Sequence, residues 1–358
     1  MSNSSGHSFH WLVGATLSSV LASCGPGEPA YRRLNPVNPL PAVPLGVTAE
    51  FASLEAAGLK MTPEKVRLGR LLFFDRRLSR DQTVSCATCH RPQFAFSEPT
   101  AHSTGVDGKV GTRKAPTVVN TAFPIYPVFF WDGRAGSLQE QAKGPIENPV
   151  EMATTHAEVV HRIKKSVGYG ELFEEVYKGQ PVTIDLLVDA IAAYEATRLS
   201  GNSPFDRFKA GQADAISEKA RMGWELFQNK AKCNQCHLNW NFTDTKFHNL
   251  GVGWNPEKNQ WNDVGRVKVT GKEEDTGAFK TPTLRDLLQR SPYMHDGSIS
   301  SLKEVVELYN RGGNSNPWLS PKITRLDLTA EEVDALVEFL GTLGGEGYAD
   351  TEPTAFPD

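Results

Sequence analysis

Cys86, Cys89 and His90 form a Cys-x-x-Cys-His run, and the same run recurs at Cys233, Cys236 and His237, 147 positions later. Two thiols spaced in this way, with an imidazole beside the second, are the attachment signature of c-type haem. The thiols bond the porphyrin edge, and the histidine reaches the iron from one face. A thioredoxin-type pair uses the two cysteines without the histidine. A zinc site calls for a second close knuckle of ligands. Neither alternative accounts for a repeat that keeps the histidine both times. Two covalently bound haem c groups are expected, with His90 and His237 as iron ligands. The face opposite each histidine, free for a second ligand or a substrate, then decides much of the function.

The elements that must carry these runs also repeat. Thr62 is an N-cap candidate and Pro63 takes the favoured first helical position, ahead of Lys65, Arg67, Gly69, Leu72 and Phe73. In the second half Ser217 and Glu218 open a helix with Lys219, Arg221, Gly223, Leu226 and Phe227 at the same offsets. After each haem run comes a second echo. Val188, Ala190, Ile191 and Tyr194 match Val333, Ala335, Leu336 and Phe339, each set one apolar stripe of a helix. Strand patterns are sparse, and the loops are long and rich in Gly, Pro and Asn. The expected fold is mostly α: two cytochrome c-like haem domains from an internal duplication, joined by long irregular loops. The domains are expected at 49–200 and 201–347, with the first closing helix running to about Leu199, a junction over 200–215 and a tail over 348–358.

The chain has 358 residues and a net charge of −4 without a basic run, so the electrostatic footprint of a nucleic-acid binder is missing. Four of the five cysteines sit in the haem runs, leaving Cys24. Residues 11–22 are apolar but too few to span a membrane and read as the core of an export signal over 1–24. No Lys or Arg precedes them, a departure from the usual signal. Leu21-Ala22-Ser23-Cys24 resembles a lipoprotein cleavage box, so a lipid anchor at Cys24 stands beside simple cleavage. Periplasmic location is expected, which suits c-type haem. Pro36, Pro39, Pro41 and Pro44 predict an extended linker over 25–48.

Longer motifs then resemble the bacterial di-haem cytochrome c peroxidase family. They are Arg113-Lys114-Ala115-Pro116-Thr117, Phe130 to Ala135, Asn148 to Met152, Phe247-His248-Asn249, Gly277 to Arg285, and Pro292 to Gly297. The match covers roughly residues 50–345. The resemblance implies that Glu151 is the acid–base group over the first haem, with Gln141 and Pro145 shaping its pocket. A carboxyl in an apolar Pro-Val-Glu-Met setting also has a raised pKa, which suits a proton shuttle. The resemblance further implies that Trp131 lies between the haems as a charge relay; the bland alternative is a packed core aromatic. Members that need reductive activation carry a histidine on the loop ahead of Ala-Pro-Thr. Here Val106 holds that position, with His102 as the nearest alternative, so the first iron is expected to be open to peroxide. Tyr309 stands where ordinary members place a methionine ligand to the second haem; Met294 is the alternative. A thioether raises the haem potential, whereas a hard phenolate favours high-valent iron.

This combination resembles the MauG-type branch, which includes the tryptophylquinone maturase and a methanobactin-associated kynurenine-forming enzyme. It implies a hydrogen-peroxide-dependent oxidase, working through a bis-iron(IV)-like state, of a tryptophan or tyrosine on a partner protein. Trp224, Trp240, Trp254 and Trp261 are candidate exit relays. An ordinary peroxidase fed by a small cytochrome or cupredoxin is the alternative, and a non-catalytic electron carrier is the second alternative. The family also implies calcium between the domains. Its expected ligand positions are Lys114, Arg290 and Pro292, and two cations there would repel it. Calcium is expected to be absent or displaced, with Lys114 or Arg290 meeting propionates or carboxylates.

Overall fold

The computed structural model describes residues 27–47, 58–122 and 127–358. The expected export signal and Cys24 lie outside the described residues. Thr62 caps helix α2 (Pro63–Phe74), its side chain accepting from Lys65 N at 3.2 Å; a short α1 (Ala30–Arg33) precedes it. A loop leads to α3 (Cys86–Cys89), which is the first haem run itself. Then come α4 (Leu138–Glu147), α5 (His156–Lys165), α6 (Val167–Tyr177) and α7 (Ile184–Ala196). The second half holds α8 (Pro204–Lys209), α9 (Glu218–Gln228), α10 (Val267–Thr270), α11 (Leu302–Asn310) and α12 (Ala330–Gly341). Among the described residues, sheet is confined to two-residue strands: β1 (Phe247–His248) pairs antiparallel with β4 (Phe279–Lys280), and β2 (Trp254–Asn255) with β3 (Gln260–Trp261). The mostly helical expectation is met.

Two helix pairs hold the two cores. In α2, Leu68, Leu71, Leu72 and Phe73 are fully buried, and they pack with Val188, Ile191 and Tyr194 of α7. Each such leucine contributes about 2 kcal/mol of transfer free energy. Close approach is set by Gly69, where a Cβ would stand 1.8 Å from Ala190 O and 3.0 Å from Tyr194 Cβ. The second pair repeats this contact. A Cβ on Gly223 of α9 would stand 2.0 Å from Ala335 O and 2.7 Å from Phe339 Cβ of α12. Both glycines are therefore required by backbone-to-backbone packing, and each pair braces the loop that presents a haem run.

Four stretches differ from expectation. The first closing helix stops at Ala196, because Thr197 turns its hydroxyl back to Tyr194 O at 2.6 Å. The junction over 200–215 contains α8, whose Asp206 accepts from buried Arg285 of the second half at 2.7 and 2.9 Å. The prolines do keep the later part of 25–48 out of helix, yet this stretch is no free linker. Tyr31 is buried and donates to Glu171 at 2.8 Å, and Asn202 N donates to Leu45 O at 2.7 Å. The tail is likewise packed. Asp350 accepts from Arg70 of α2 at 2.9 Å and from Tyr194 of α7 at 2.7 Å, so the chain's end is fastened to the first helix pair.

Candidate active site

Each haem run ends in a histidine whose ring is already oriented. His90 Nδ1 lies 3.2 Å from Phe96 O, and His237 Nδ1 lies 2.9 Å from Phe242 O. A carbonyl only accepts, so Nδ1 carries the hydrogen in both rings and Nε2 keeps its lone pair for a metal. Such carbonyl partners are how metal-binding histidines are commonly held. Burial lowers the pKa of both imidazoles, that of His237 to about 4, which favours the neutral, ligating form.

A cavity opens on each histidine. The first, about 660 Å³, is lined by Cys89 and His90 together with Gln141, Pro145 and Glu151. The second, about 240 Å³, is lined by Cys233, Cys236 and His237 together with Met294 and Tyr309. Trp131 lines both. Its Nε1 donates to Lys114 O at 2.9 Å, and its carbonyl accepts from Lys280 N at 2.8 Å. Its ring meets His295 edge-on at 6.4 Å, and His295 stacks on Phe279 at 3.5 Å. The indole is thus fixed in the wall that separates the cavities.

Glu151 lines the first cavity from the turn that follows α4. Asn148 O accepts from Glu151 N at 3.0 Å, and Asn148 Nδ2 donates to Glu151 Oε1 at 2.6 Å. Burial raises the Glu151 carboxyl above its ordinary range; the charge of Arg134 and the Asn148 hydrogen bond oppose this. Val106, at the loop position where a histidine would stand, is fully buried and donates its N–H to Glu151 O at 2.9 Å. Gly105 explains the tight seat: a Cβ there would stand 2.1 Å from Val150 O. Ser103 and Gly105 line the first cavity, whereas His102 is outside its lining. In the second cavity, burial first, and the neighbouring Cys233 and Cys236 next, push the Tyr309 phenol up.

A family profile for di-haem cytochrome c peroxidases matches residues 63–214. The chain is 41% identical over 296 residues to the methylamine utilization protein MauG of Methylorubrum extorquens, covering 82% of each chain. It is 36% identical to the cytochrome c551 peroxidase of Nitrosomonas europaea, over 80% of this chain and 82% of that one. The chain belongs to the di-haem cytochrome c peroxidase family. Within the family it is of the MauG type, with two haem groups, and it is an oxidoreductase acting with hydrogen peroxide. Among solved structures, a MauG-like protein associated with microbial copper homeostasis superimposes with a TM-score of 0.75 at 29% identity, over 90% of this chain and 97% of the other.

The calcium that the family implies does not fit the residues present. Lys114 and Arg290 are 4% and 8% exposed. Lys114 Nζ donates to Glu98 O and, at 3.2 Å, to Thr100 O; Arg290 Nη2 donates to Arg285 O at 2.6 Å and Thr283 O at 2.8 Å. Calcium needs oxygen ligands, and these oxygens already serve two cations. Burial, with Arg290 nearby, lowers the Lys114 pKa to about 8, against the pull of Glu98. Among the described residues these two cations are held by backbone carbonyls, and the Glu98 carboxylate acts on Lys114.

Some site residues escaped assignment from sequence. Arg113 bridges Asp132 at 2.6 Å and Asp263 at 2.6 Å, joining the two halves at the rim of the first cavity. Lys280 lines both cavities beside Trp131. Both stand in the quoted motifs, where a charge amid apolar residues was the available signal.

Proposed function

We propose that this protein uses hydrogen peroxide to oxidise a residue, a tryptophan by class, of a partner protein. The observation that carries the reading is Tyr309 in the wall of the cavity that holds His237. A phenolate is a hard anionic donor and suits a centre that must store an oxidising equivalent, where a thioether suits one that passes electrons in. Cys86, Cys89 and His90 would hold one haem and Cys233, Cys236 and His237 the other, and the bound haems would supply peroxide cleavage and storage of the two oxidising equivalents.

The chain's own residues do the rest. Glu151 takes the proton from the nearer peroxide oxygen and returns it to the leaving oxygen, so that peroxide, two electrons and two protons become two waters. Gln141 and Pro145 confine the peroxide beside it. Val106, packed in the core, offers no ligand to the first site, which supports access without reductive activation. Trp131, in both cavity walls, carries charge between the two sites. The repeated helix pairs support an internal duplication, with domains at 49–200 and 201–347. Export to the periplasm, with Cys24 lipidated or removed, completes the reading.

One observation favours the ordinary peroxidase alternative: Met294 also lines the second cavity. The test is the absorption spectrum of the second haem in Tyr309→Phe and Met294→Leu. The oxidase reading expects Tyr309→Phe to change that spectrum and Met294→Leu to leave it. The reverse result would restore the ordinary peroxidase, with electrons entering from a small cytochrome or cupredoxin.

A further inference from the structure

Four tryptophans were candidates from sequence for carrying oxidising equivalents outward, and their surroundings separate them. Trp224 is wedged among Phe205, Phe227 and Phe339 with Lys209 Nζ 5.7 Å from its ring centroid. Trp240 has the Arg285 guanidinium 5.9 Å from its centroid. A fixed cation beside an indole opposes removal of an electron from it, because the radical cation would face like charge.

Trp261 and Trp254 are placed differently. Trp261 packs against Gly277, where a Cβ would stand 2.4 Å from Trp261 Cη2, and Gly277 lines the second cavity. The Gly277 backbone therefore stands between the buried indole and the second cavity. Trp261 is 5.1 Å, centroid to centroid, from Trp254, its partner across the β2–β3 hairpin. Trp254 in turn is 6.2 Å, edge-on, from Trp318, which sequence reading had passed over. Trp254 and Trp318 are half-buried at the protein surface. Trp261 Nε1 is buried without a hydrogen-bond partner among the described residues. No protein group among the described residues accepts a hydrogen bond from that N–H, so deprotonation of an oxidised Trp261 by the protein is disfavoured. The indole stays a radical cation, the more oxidising form, and recovers its electron from Trp254 instead of trapping the charge.

We propose that Trp261, Trp254 and Trp318 form the path by which oxidising equivalents leave the second cavity for the protein surface. The proposal rests on the oxidase reading given above. Each step moves one electron inward along the chain, and the terminal donor loses two electrons for each peroxide reduced to two waters. With a partner docked at the hairpin, that donor is the partner's aromatic residue. With no partner, the donor is the outermost indole: it loses two electrons and two protons and gains the oxygen of a water, giving a hydroxylated tryptophan. The net reaction is one indole and one peroxide yielding one hydroxyindole and one water.

The experiment treats the holoenzyme with repeated stoichiometric peroxide, without partner or reductant, and maps oxygen adducts by peptide mass spectrometry. Adducts are expected on Trp254 and Trp318 and not on Trp224 or Trp240. Trp261→Phe should lose them, since phenylalanine is far harder to oxidise. Trp318→Phe, a change at the surface that leaves the core intact, should confine them to Trp254. Adducts on Trp254 and Trp318 that persist unchanged in Trp261→Phe would overturn the path. So would their absence in the native enzyme while the peroxide-oxidised spectrum forms and decays. If no oxidised spectrum forms at all, the oxidase reading falls first and the path falls with it.

Discussion

Glu151→Gln is the sharpest perturbation of the proposed proton shuttle. Glutamine keeps the shape of the side chain and an oxygen to accept from Asn148 Nδ2, now at 2.6 Å from Glu151 Oε1. It also leaves the Val106 N–H bond to the backbone of residue 151 at 2.9 Å, so the loop should hold its place. What is removed is the proton acceptor alone. A positioned acid–base group contributes about 10²–10⁴ in rate. At about 1.4 kcal/mol per decade, that is about 3–5 kcal/mol of barrier. The assay is stopped-flow absorbance of the diferric holoenzyme mixed with peroxide across pH. Burial raises the carboxyl above its ordinary 4.5. The ionised form is the base, so the native rate should rise with pH through that raised value and then level. The glutamine variant should be slower by about a hundredfold or more and should lose this rise. A loss under about tenfold, or a pH limb that survives the substitution, would refute the role of Glu151.

Gly69→Ala should destabilise the protein, because its Cβ meets Ala190 O and only separation of α2 from α7 relieves the clash. Overpacking costs about 1–3 kcal/mol and separation adds lost contacts, while alanine's helix preference returns about 1 kcal/mol, so a net loss of about 2 kcal/mol is expected in guanidinium unfolding. Gly223→Ala should behave alike; unchanged midpoints would deny the shared packing. Chelators should leave the thermal midpoint of the native protein unchanged, and Lys114→Asn with Arg290→Thr should introduce stoichiometric calcium binding, read by elemental analysis. Calcium retained by the native protein would contradict the tethered-cation reading. Burial raises the Glu195 carboxyl from 4.5 to about 8 in the folded state. The unfolded chain ionises first, so this residue's contribution to stability falls as pH rises from about 5 to about 8. Denaturation midpoints of Glu195→Gln should lack that fall, and an unaltered pH profile would exclude it.

The two haem runs and the helices around them were legible because their signals are local. Thr62 and Ser217 are caps that act within three residues, and Gly69 and Gly223 lie at matching offsets from matching partners. The grouping of Glu151, Gln141 and Pro145 was implied by the family resemblance, and all three line the first cavity. The connections were harder to read, because they depend on contacts distant in sequence. Asp206 finds Arg285, Asp350 finds Arg70, and Tyr31 finds Glu171, and nothing in the proline-rich stretch or the tail announces those partners. The charges in the site were visible but their partners were not. Lys114 and Arg290 donate to backbone carbonyls, partners that carry no sequence signature. Trp318 lay outside the motifs and acquires meaning only from its ring contact with Trp254.

The most direct test of the account is to add one equivalent of peroxide to the as-isolated diferric protein and record the spectrum. An open first site and a Tyr309-supported second site predict immediate conversion of both haem signals to a long-lived oxidised form, with no reductant present. A spectrum that stays ferric until one haem is first reduced would contradict the account.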